Sequence, residues 1–266
     1  MAKAQLPLPV SPTPRLLQLV RGLKLAALLL WICTALALAY PIIGDRQRLW
    51  LKQVWSKQIL KALAIRVDAP GDVFPGGSLV VANHISWLDI LALNTVQAVA
   101  FVSKAEVRQW PVVGWISAKV DTVFLRRGSR GHAKIVNAEI DGLLNAGKNV
   151  AIFPEGTTTD GSHLLGFHAA LLQPAVETGR PIQPVAISYH HADGSPSTAA
   201  AYVGDTTLVQ SFAAILACRS MIVRVCATTA IDPQNSSRRA LAIAAREAIA
   251  AKLGVSLIVS HGEAQG

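Results

Sequence analysis

The amino-acid sequence predicts an α/β fold, with a mixed, largely parallel sheet flanked by helices and preceded by a membrane-embedded helix or two-helix hairpin. Two observations indicate the sheet domain. From about residue 70, short runs rich in β-branched residues alternate with stretches of helical periodicity, and 52% of the residues are hydrophobic, enough to bury a large core. A third observation, an uncharged apolar run at residues 25–43, indicates the membrane-embedded element.

The alternation after residue 70 defines the expected helices and strands. Helices are expected at residues 133–146 and 237–253, the second opened by a serine of the helix-capping type. Because strands that alternate with helices usually pair in parallel, a largely parallel sheet is expected. The expected strands are residues 78–82, 99–102, 122–125, 150–153, 182–188, 200–203 and 221–227.

The N-terminal region has the composition of a membrane-seeking unit. Residues 1–24 hold four prolines within the first fourteen positions and several basic residues, which predicts a flexible basic leader. Residues 25–43 are uncharged and just long enough to cross a bilayer, since a spanning helix needs about 20 apolar residues. A cleaved signal peptide, a helix buried in the core, and a helix that enters and leaves one leaflet are the alternatives.

Basic and apolar residues alternate at near-helical spacing over residues 45–66, which predicts a basic amphipathic helix on an anionic membrane surface. Packing of its apolar face on the sheet domain is the alternative. Basic residues flank the apolar run on both sides, which favours a hairpin dipping into one leaflet. The expected organisation is a leader at 1–24, a membrane-embedded helix plus amphipathic helix at 25–68, an α/β domain at 69–258 and a tail at 259–266.

The charge balance indicates anionic partners. The net charge is +9 and the sequence pI is about 9.8, so nucleic acid, an anionic membrane surface and an acidic small molecule are the partner classes to weigh. No zinc-finger spacing and no aromatic-interleaved basic motif occurs, so we expect membrane lipids as partners and no nucleic acid. The three cysteines are scattered without a C-x-x-C pair, which indicates neither a metal site nor a disulfide framework.

Polar side chains follow four of the predicted strands, at the point where each strand ends. His84, Lys104, Arg127 and Glu155 come after the strands at 78–82, 99–102, 122–125 and 150–153. The carboxyl ends of parallel strands meet at one edge of a sheet, which is where open α/β sheets bind ligands. The sequence therefore predicts a pocket at this edge.

His84 and Asp89 have a spacing that suits acid–base chemistry if a helix begins between them. Within one helix, residues five apart lie on different faces. Ser86 followed three residues later by Asp89 has the form of a capping box, which would place Asp89 in the first helical turn. Asp89 can then orient the imidazole while its other nitrogen takes a proton from a substrate hydroxyl. A turn histidine beside a capping aspartate is the structural alternative.

The segment F-P-E-G-T at residues 153–157 predicts a sharp turn. Pro154 cannot continue a strand and Gly156 permits a positive φ, so the chain reverses around Glu155. Backbone N–H groups exposed by such a turn, together with the Thr157 hydroxyl, can hold an anion or an oxyanion.

These segments resemble the signature blocks of the glycerolipid acyltransferase family, in its 1-acylglycerol-3-phosphate acyltransferase branch. N-H-x-x-x-x-D at residues 83–89 is similar to the first block and F-P-E-G-T at 153–157 to the third. The second block, G-x-x-F-x-x-R, is matched at 121–127 with aspartate in place of glycine, and the fourth by the proline-containing strand at 182–187. The resemblance covers residues 75–190, with the blocks in order.

The resemblance implies transfer of a fatty acyl group from acyl-coenzyme A or acyl carrier protein to the sn-2 hydroxyl of 1-acylglycerol-3-phosphate, which makes phosphatidic acid for phospholipid synthesis. It implies that His84 is the general base and that Asp89 orients it. No metal and no cofactor beyond the thioester co-substrate is expected, and the active site is expected to face the cytoplasm at the inner membrane. The expected acceptor-binding residues are Lys104, Arg127, Glu155, Gly156 and Thr157.

One departure from the family pattern concerns the acceptor. The third block commonly continues Thr-Arg-Ser, whereas residues 157–160 read T-T-T-D. The missing arginine would be a phosphate partner. An acyltransferase acting on lyso-ornithine lipid or another lysophospholipid is therefore an alternative, and a non-catalytic lipid-binding membrane protein is a second one.

Overall fold

The computed structural model describes residues 12–70, 74–126 and 130–257. The helices are α1 (Arg15–Leu38), α2 (Asp45–Ala62), α3 (Leu88–Val96), α4 (Val113–Lys119), α5 (Arg130–Asn145), α6 (Gln173–Thr178), α7 (Leu208–Ala217) and α8 (Arg238–Leu253), with short 3-10 helices at Ala105–Gln109 and Ala169–Leu172. The strands are β1 (Ile65–Asp68), β2 (Leu79–Ala82), β3 (Ala100–Lys104), β4 (Thr122–Leu125), β5 (Val150–Ile152), β6 (His163–Leu164), β7 (Ile182–His190), β8 (Met221–Ala227) and β9 (Ser256–Leu257).

Within these described residues, seven strands form one sheet in the order β1-β8-β7-β2-β5-β3-β4, and β6 pairs with β9 separately. In the large sheet β7 and β8 run antiparallel, and the other neighbours are parallel. The predicted mixed, largely parallel sheet is therefore confirmed. The carboxyl ends of β7, β2, β5, β3 and β4 lie along one edge.

The core lies on both faces of the sheet because side chains of a strand alternate between faces. On β2, Val80 and Ala82 pack into a cluster with residues of α2, α3 and α7, whereas Leu79 and Val81 pack with residues of α5 and α8. All four β2 residues are fully buried. A strand covered by helices on both faces has a continuous apolar sequence, as residues 79–82 do.

One strand prediction and one helix prediction differ from the structure. Residues 200–203 form no strand, because Ala200 packs into the core and Tyr202 donates its backbone N–H to Ile85 O at 2.9 Å. The prediction of a helix through residue 66 is also wrong. α2 ends at Ala62, Ala64 adopts a φ of +57°, and Ile65–Asp68 then forms β1 beside β8.

α1 begins ten residues earlier than predicted, so residues 15–24, expected to belong to the leader, are helical. The remainder of the leader before residue 12 and the predicted tail at 259–266 lie outside the described residues. α1 has the length and composition of a membrane-crossing helix. Arg21 nevertheless ties it to the end of α7, donating to Cys218 O at 2.9 Å and Arg219 O at 2.7 Å.

α2 packs its apolar face on the sheet domain, as the alternative interpretation of residues 45–66 proposed. Trp55 and Leu60 are buried, and so is Lys52, which was expected on the basic membrane face. Its ammonium donates to Val99 O at 2.8 Å and Val120 O at 3.1 Å, just before β3 and β4. Burial lowers the pKa of Lys52 to about 8.

Candidate active site

The site begins where β2 ends. Asn83 is fully buried, and its side-chain amide takes the place of backbone pairing with β7: Nδ2 donates to Ile187 O at 2.9 Å, and Oδ1 accepts from Ile187 N–H at 2.8 Å. The amide satisfies two buried backbone groups of the neighbouring strand. The chain can therefore leave the sheet at His84 without unpaired polar groups on β7.

His84 and Asp89 form the predicted pair. His84 Nδ1 lies 2.8 Å from Asp89 Oδ2, and the same oxygen accepts the backbone N–H groups of Ile85 at 2.7 Å and Ser86 at 2.9 Å. Ser86 Oγ in turn accepts the N–H of Leu88 at 3.3 Å, the first residue of α3. A helix therefore does begin between His84 and Asp89, with Asp89 in its first turn, but its N-cap residue is Trp87 and the predicted capping box from the Ser86 side chain to the Asp89 N–H is not formed.

Asp89 has a further partner that sequence reasoning missed. Tyr189, near the end of β7, donates its hydroxyl to Asp89 Oδ1 at 2.6 Å. Tyr189 is buried, and its pKa is raised well above the usual value by burial first and by the Asp89 charge second. One hundred residues separate the two, so no local pattern connects them. The available signal was a phenol at the carboxyl end of a predicted strand.

Glu155 holds the loop that carries His84. Its Oε1 accepts the backbone N–H of His84 at 2.9 Å, and its Oε2 accepts that of Leu165 at 3.0 Å. Glu155 is 4% exposed, and burial raises the pKa of its carboxyl. The ring of Phe153 stacks on the His84 imidazole, with centroids 3.9 Å apart and planes 12° from parallel. Glu155 thus fixes the backbone of His84 through a hydrogen bond inside the protein. The predicted contact of Glu155 with the acceptor stays a prediction.

The turn after β5 has the expected geometry. Gly156 has a φ of +70° and donates its N–H to Phe153 O at 3.1 Å, and Thr157 beside it is exposed. The Thr158 hydroxyl, at the position where the family pattern has arginine, donates to the carbonyl of Tyr202. Tyr202 also donates its backbone N–H to Ile85 O. The backbone of Tyr202 is therefore hydrogen-bonded both to the loop after β2 and to the loop after β5.

Of the two basic residues predicted to bind the acceptor, the structure describes only Lys104. Lys104 is exposed at the end of β3, two strands from β2 and therefore about 10 Å away across the sheet. Arg127 lies outside the described residues. Asp121 has a φ of +59°, a conformation that glycine adopts freely and that aspartate tolerates better than most residues. This backbone conformation accounts for the glycine in the family pattern.

The structure thus brings His84, Asp89, Glu155, Gly156 and Thr157 together at one edge of the sheet. His84 is 21% exposed at its side chain and Asp89 is 0% exposed. With a proton on Nδ1 held by the carboxylate, His84 Nε2 can accept a proton from a hydroxyl in the exposed part of the site. Among the described residues, no group of three or more His, Cys, Asp or Glu side chains is placed to hold a metal ion.

This fold and site define an acyltransferase. Residues 65–188 match the model of the Acyltransferase family. The chain is 38% identical to the lyso-ornithine lipid O-acyltransferase of Pseudomonas aeruginosa, over 88% of this chain and 91% of the relative. It is 35% identical to the 1-acyl-sn-glycerol-3-phosphate acyltransferase of Neisseria meningitidis, over 66% and 69% of the two chains.

The fold matches a solved structure as well. The crystal structure of the 1-acyl-sn-glycerophosphate acyltransferase of Thermotoga maritima superposes with a TM-score of 0.65 at 23% identity, covering 89% of this chain and 96% of that one. The protein therefore belongs to the acyltransferase family. A non-catalytic lipid-binding protein, the second alternative from the sequence, is not supported.

The Tyr189–Asp89 bond can be tested with Tyr189→Phe. The variant leaves Asp89 Oδ1 buried without its donor, which should lower the free energy of unfolding by about 1–3 kcal/mol. We expect kcat to fall with little change in KM, because the carboxylate that orients the His84 imidazole loses one of the donors that hold it in place.

Tyr40→Phe is the matched control. Tyr40 is also buried, but its hydroxyl has no hydrogen-bond partner among the described residues. Its removal should leave stability and kcat unchanged. Equal losses in both variants would show that Tyr189 contributes packing and no positioning.

Proposed function

We propose that the protein transfers a fatty acyl chain to the hydroxyl of lyso-ornithine lipid. The observation that carries this proposal is Thr158. At the position where the family pattern has arginine, the side chain is neutral and its hydroxyl is bound to Tyr202 O. The relative from Pseudomonas aeruginosa, which aligns along nearly the whole chain, supports the same acceptor.

The chemistry of the head group agrees with this choice. A phosphomonoester carries up to two negative charges and is best held by two or more cationic or charge-assisted donors. Lyso-ornithine lipid presents one carboxylate and one ammonium group and needs fewer cations. Lys104, exposed at the end of β3, is a suitable partner for a single carboxylate.

1-Acylglycerol-3-phosphate is the second candidate acceptor, with phosphatidic acid for phospholipid synthesis as its product. Lys104, Arg108 and Arg126 are exposed around the ends of β3 and β4, and a phosphate between them would meet more than one cation. The relative from Neisseria meningitidis supports this acceptor.

The donor in this proposal is the thioester of acyl-coenzyme A or acyl carrier protein, with no cofactor beyond it. His84 Nε2 takes the proton of the acceptor hydroxyl as its oxygen attacks the thioester carbonyl carbon. The carbon–sulfur bond then breaks, the acyl group stays on the acceptor oxygen, and the leaving thiolate takes the proton from the imidazolium. Asp89 keeps the ring in one orientation and stabilises its positive charge.

The proposed location is one leaflet of the inner membrane, with the active site on the cytoplasmic side where thioester donors are made. α1 is about 36 Å long, and both of its halves are attached to the same domain. Arg21 anchors the first half to the end of α7, and Ile32 and Leu36 of the second half are buried in a cluster with Trp55. A helix held in this way immerses its outward side in lipid and does not cross.

Acyl transfer is tested with labelled acyl-coenzyme A and a panel of lysolipids that includes lyso-ornithine lipid and 1-acylglycerol-3-phosphate. Removing the general base in His84→Ala should lower kcat by at least about 10²-fold. His168→Ala, an exposed histidine after the turn, is the control and should keep full activity. Acyl transfer by His84→Ala at the wild-type rate would refute the mechanism.

Thr158→Arg tests the acceptor assignment. A guanidinium at this position should raise kcat/KM for 1-acylglycerol-3-phosphate relative to lyso-ornithine lipid by about tenfold, the effect of one charge-assisted contact. Thr158→Val removes the bond to Tyr202 without adding charge and should leave the ratio unchanged. If both variants shift the ratio equally, loop geometry rather than charge determines the acceptor.

The placement of α1 is tested by thiol labelling of sealed vesicles. In a background with Cys33, Cys218 and Cys226 replaced by serine, single cysteines are placed at Arg15, the first residue of α1, at Gln47, beyond its last residue, and at Gln234 in the α/β domain. All three should react with an impermeant reagent from the same side of the membrane. Labelling of Arg15→Cys and Gln47→Cys from opposite sides would show that α1 crosses the bilayer.

A further inference from the structure

The connection between β3 and β4 presents large apolar side chains to solvent. Trp110, Val112, Val113 and Trp115 are exposed by 39%, 51%, 38% and 40%. We call residues 110–115 the apolar turn. Proteins seldom leave contiguous apolar side chains exposed without a partner that covers them.

The apolar turn has a defined conformation. Gly114 packs so closely that a Cβ there would lie 2.3 Å from Arg108 O, and its N–H donates to Trp110 O at 2.9 Å. Val112 has a φ of +62°, which is rare for a β-branched residue and costs energy. The fold therefore holds these side chains outward at an energetic cost, which indicates a function for their exposure.

The apolar turn adjoins the membrane-seeking helix. Ile116 and Val120, in and just after α4, pack against the cluster that contains Ile32 and Leu36 of α1. Of the six tryptophans in the sequence, all within the described residues, the four exposed ones lie on α1, on α2 and in the apolar turn: Trp31, Trp50, Trp110 and Trp115. Tryptophan is enriched where protein meets the lipid headgroup region.

Charge around the apolar turn is complementary to an anionic membrane. Lys104, Arg108 and Lys119 are exposed, and Glu106 is the one acidic residue in the sequence from 104 to 119. The Arg108 guanidinium lies over the Phe124 ring, 5.6 Å from its centroid, and so stays close to the turn. An apolar surface bordered by basic residues fits the boundary between anionic headgroups and acyl chains.

We propose that the apolar turn is a second membrane-docking element, which inserts into the headgroup–acyl boundary of an anionic leaflet beside α1. Two contact regions fix the tilt of the domain on the leaflet, whereas α1 alone leaves rotation about its axis free. In this orientation Lys104, which immediately precedes the Ala105–Gln109 helix, lies at the lipid surface where an acceptor leaves the leaflet. The inference rests on the proposed function only in that α1 brings the domain to the membrane.

The test compares the full-length protein with Val112→Ser/Val113→Ser. The matched control is Ile135→Ser/Ile243→Ser, which removes two exposed β-branched side chains from α5 and α8 on the opposite face of the sheet. Flotation with vesicles of equimolar phosphatidylglycerol and phosphatidylethanolamine measures partitioning. The apolar-turn variant should partition about tenfold more weakly and the control should not change.

A second measurement uses more conservative substitutions, which keep large apolar side chains in the apolar turn. Brominated phospholipids should quench the tryptophan fluorescence of the wild type, and Trp110→Phe/Trp115→Phe should remove a part of that quenching while keeping apolar side chains in place. Unchanged quenching in this variant, together with unchanged partitioning of Val112→Ser/Val113→Ser, would overturn the proposal. A change in oligomeric state in detergent without a change in partitioning would also overturn it, since a second copy would then cover the turn.

Activity separates this inference from the proposed function. In vesicles, the apolar-turn variant should transfer acyl groups more slowly, whereas in detergent micelles, where no leaflet has to be met, its rate should equal that of the wild type. A loss in micelles as large as the loss in vesicles would place the effect in the active site and refute membrane docking. Absence of acyl transfer by the wild type in either medium would refute the proposed function and leave the partitioning result standing.

Discussion

The buried carboxylate of Asp89 is the interaction on which the rest of the site depends. A carboxylate without solvent is strongly unfavourable unless donors surround it. Here it meets the His84 imidazole, the N–H groups of Ile85 and Ser86, and the hydroxyl of Tyr189. These donors come from the loop after β2 and from β7. The charge of Asp89 on α3 is therefore stabilised only when α3, this loop and β7 are assembled in one arrangement. The orientation of the imidazole is a consequence of that requirement.

His84, the proposed general base, is supported from the opposite side by the loop after β5. Glu155 accepts the N–H of His84, and Thr159 N–H donates to His84 O at 2.9 Å. The catalytic end of the site is thus a closed network of bonds within the protein, whereas the edge toward β3 and β4 is exposed. The His84–Asp89 pair and the exposed basic residues at the ends of β3 and β4 therefore lie at different parts of the sheet edge.

Two basic residues in the N-terminal helices contact protein and not lipid headgroups. Arg21 and Lys52 are both buried, and both donate to backbone carbonyls outside regular helices and strands. Arg21 donates to carbonyls just after α7, and Lys52 donates to carbonyls just before β3 and β4. Each cation thereby satisfies two acceptors. Counting basic residues around an apolar run therefore overstates the membrane-facing charge here, because part of it attaches the helices to the domain.

The sequence by itself determined the class of fold, the positions of most strands, and the pairing of His84 with Asp89, because periodicity and the spacing of these two residues around a helix start are local properties. It also indicated the turn at Gly156 through the positive φ that glycine permits. Tertiary structure alone decided the rest. Tyr189 meets Asp89 across one hundred residues, Ile65–Asp68 becomes a strand because β8 is there to pair with it, and residues 200–203 do not because their backbone bonds the His84 loop. In all three cases the hydrogen-bond partner is distant in the sequence, so a local sequence pattern does not predict the pairing.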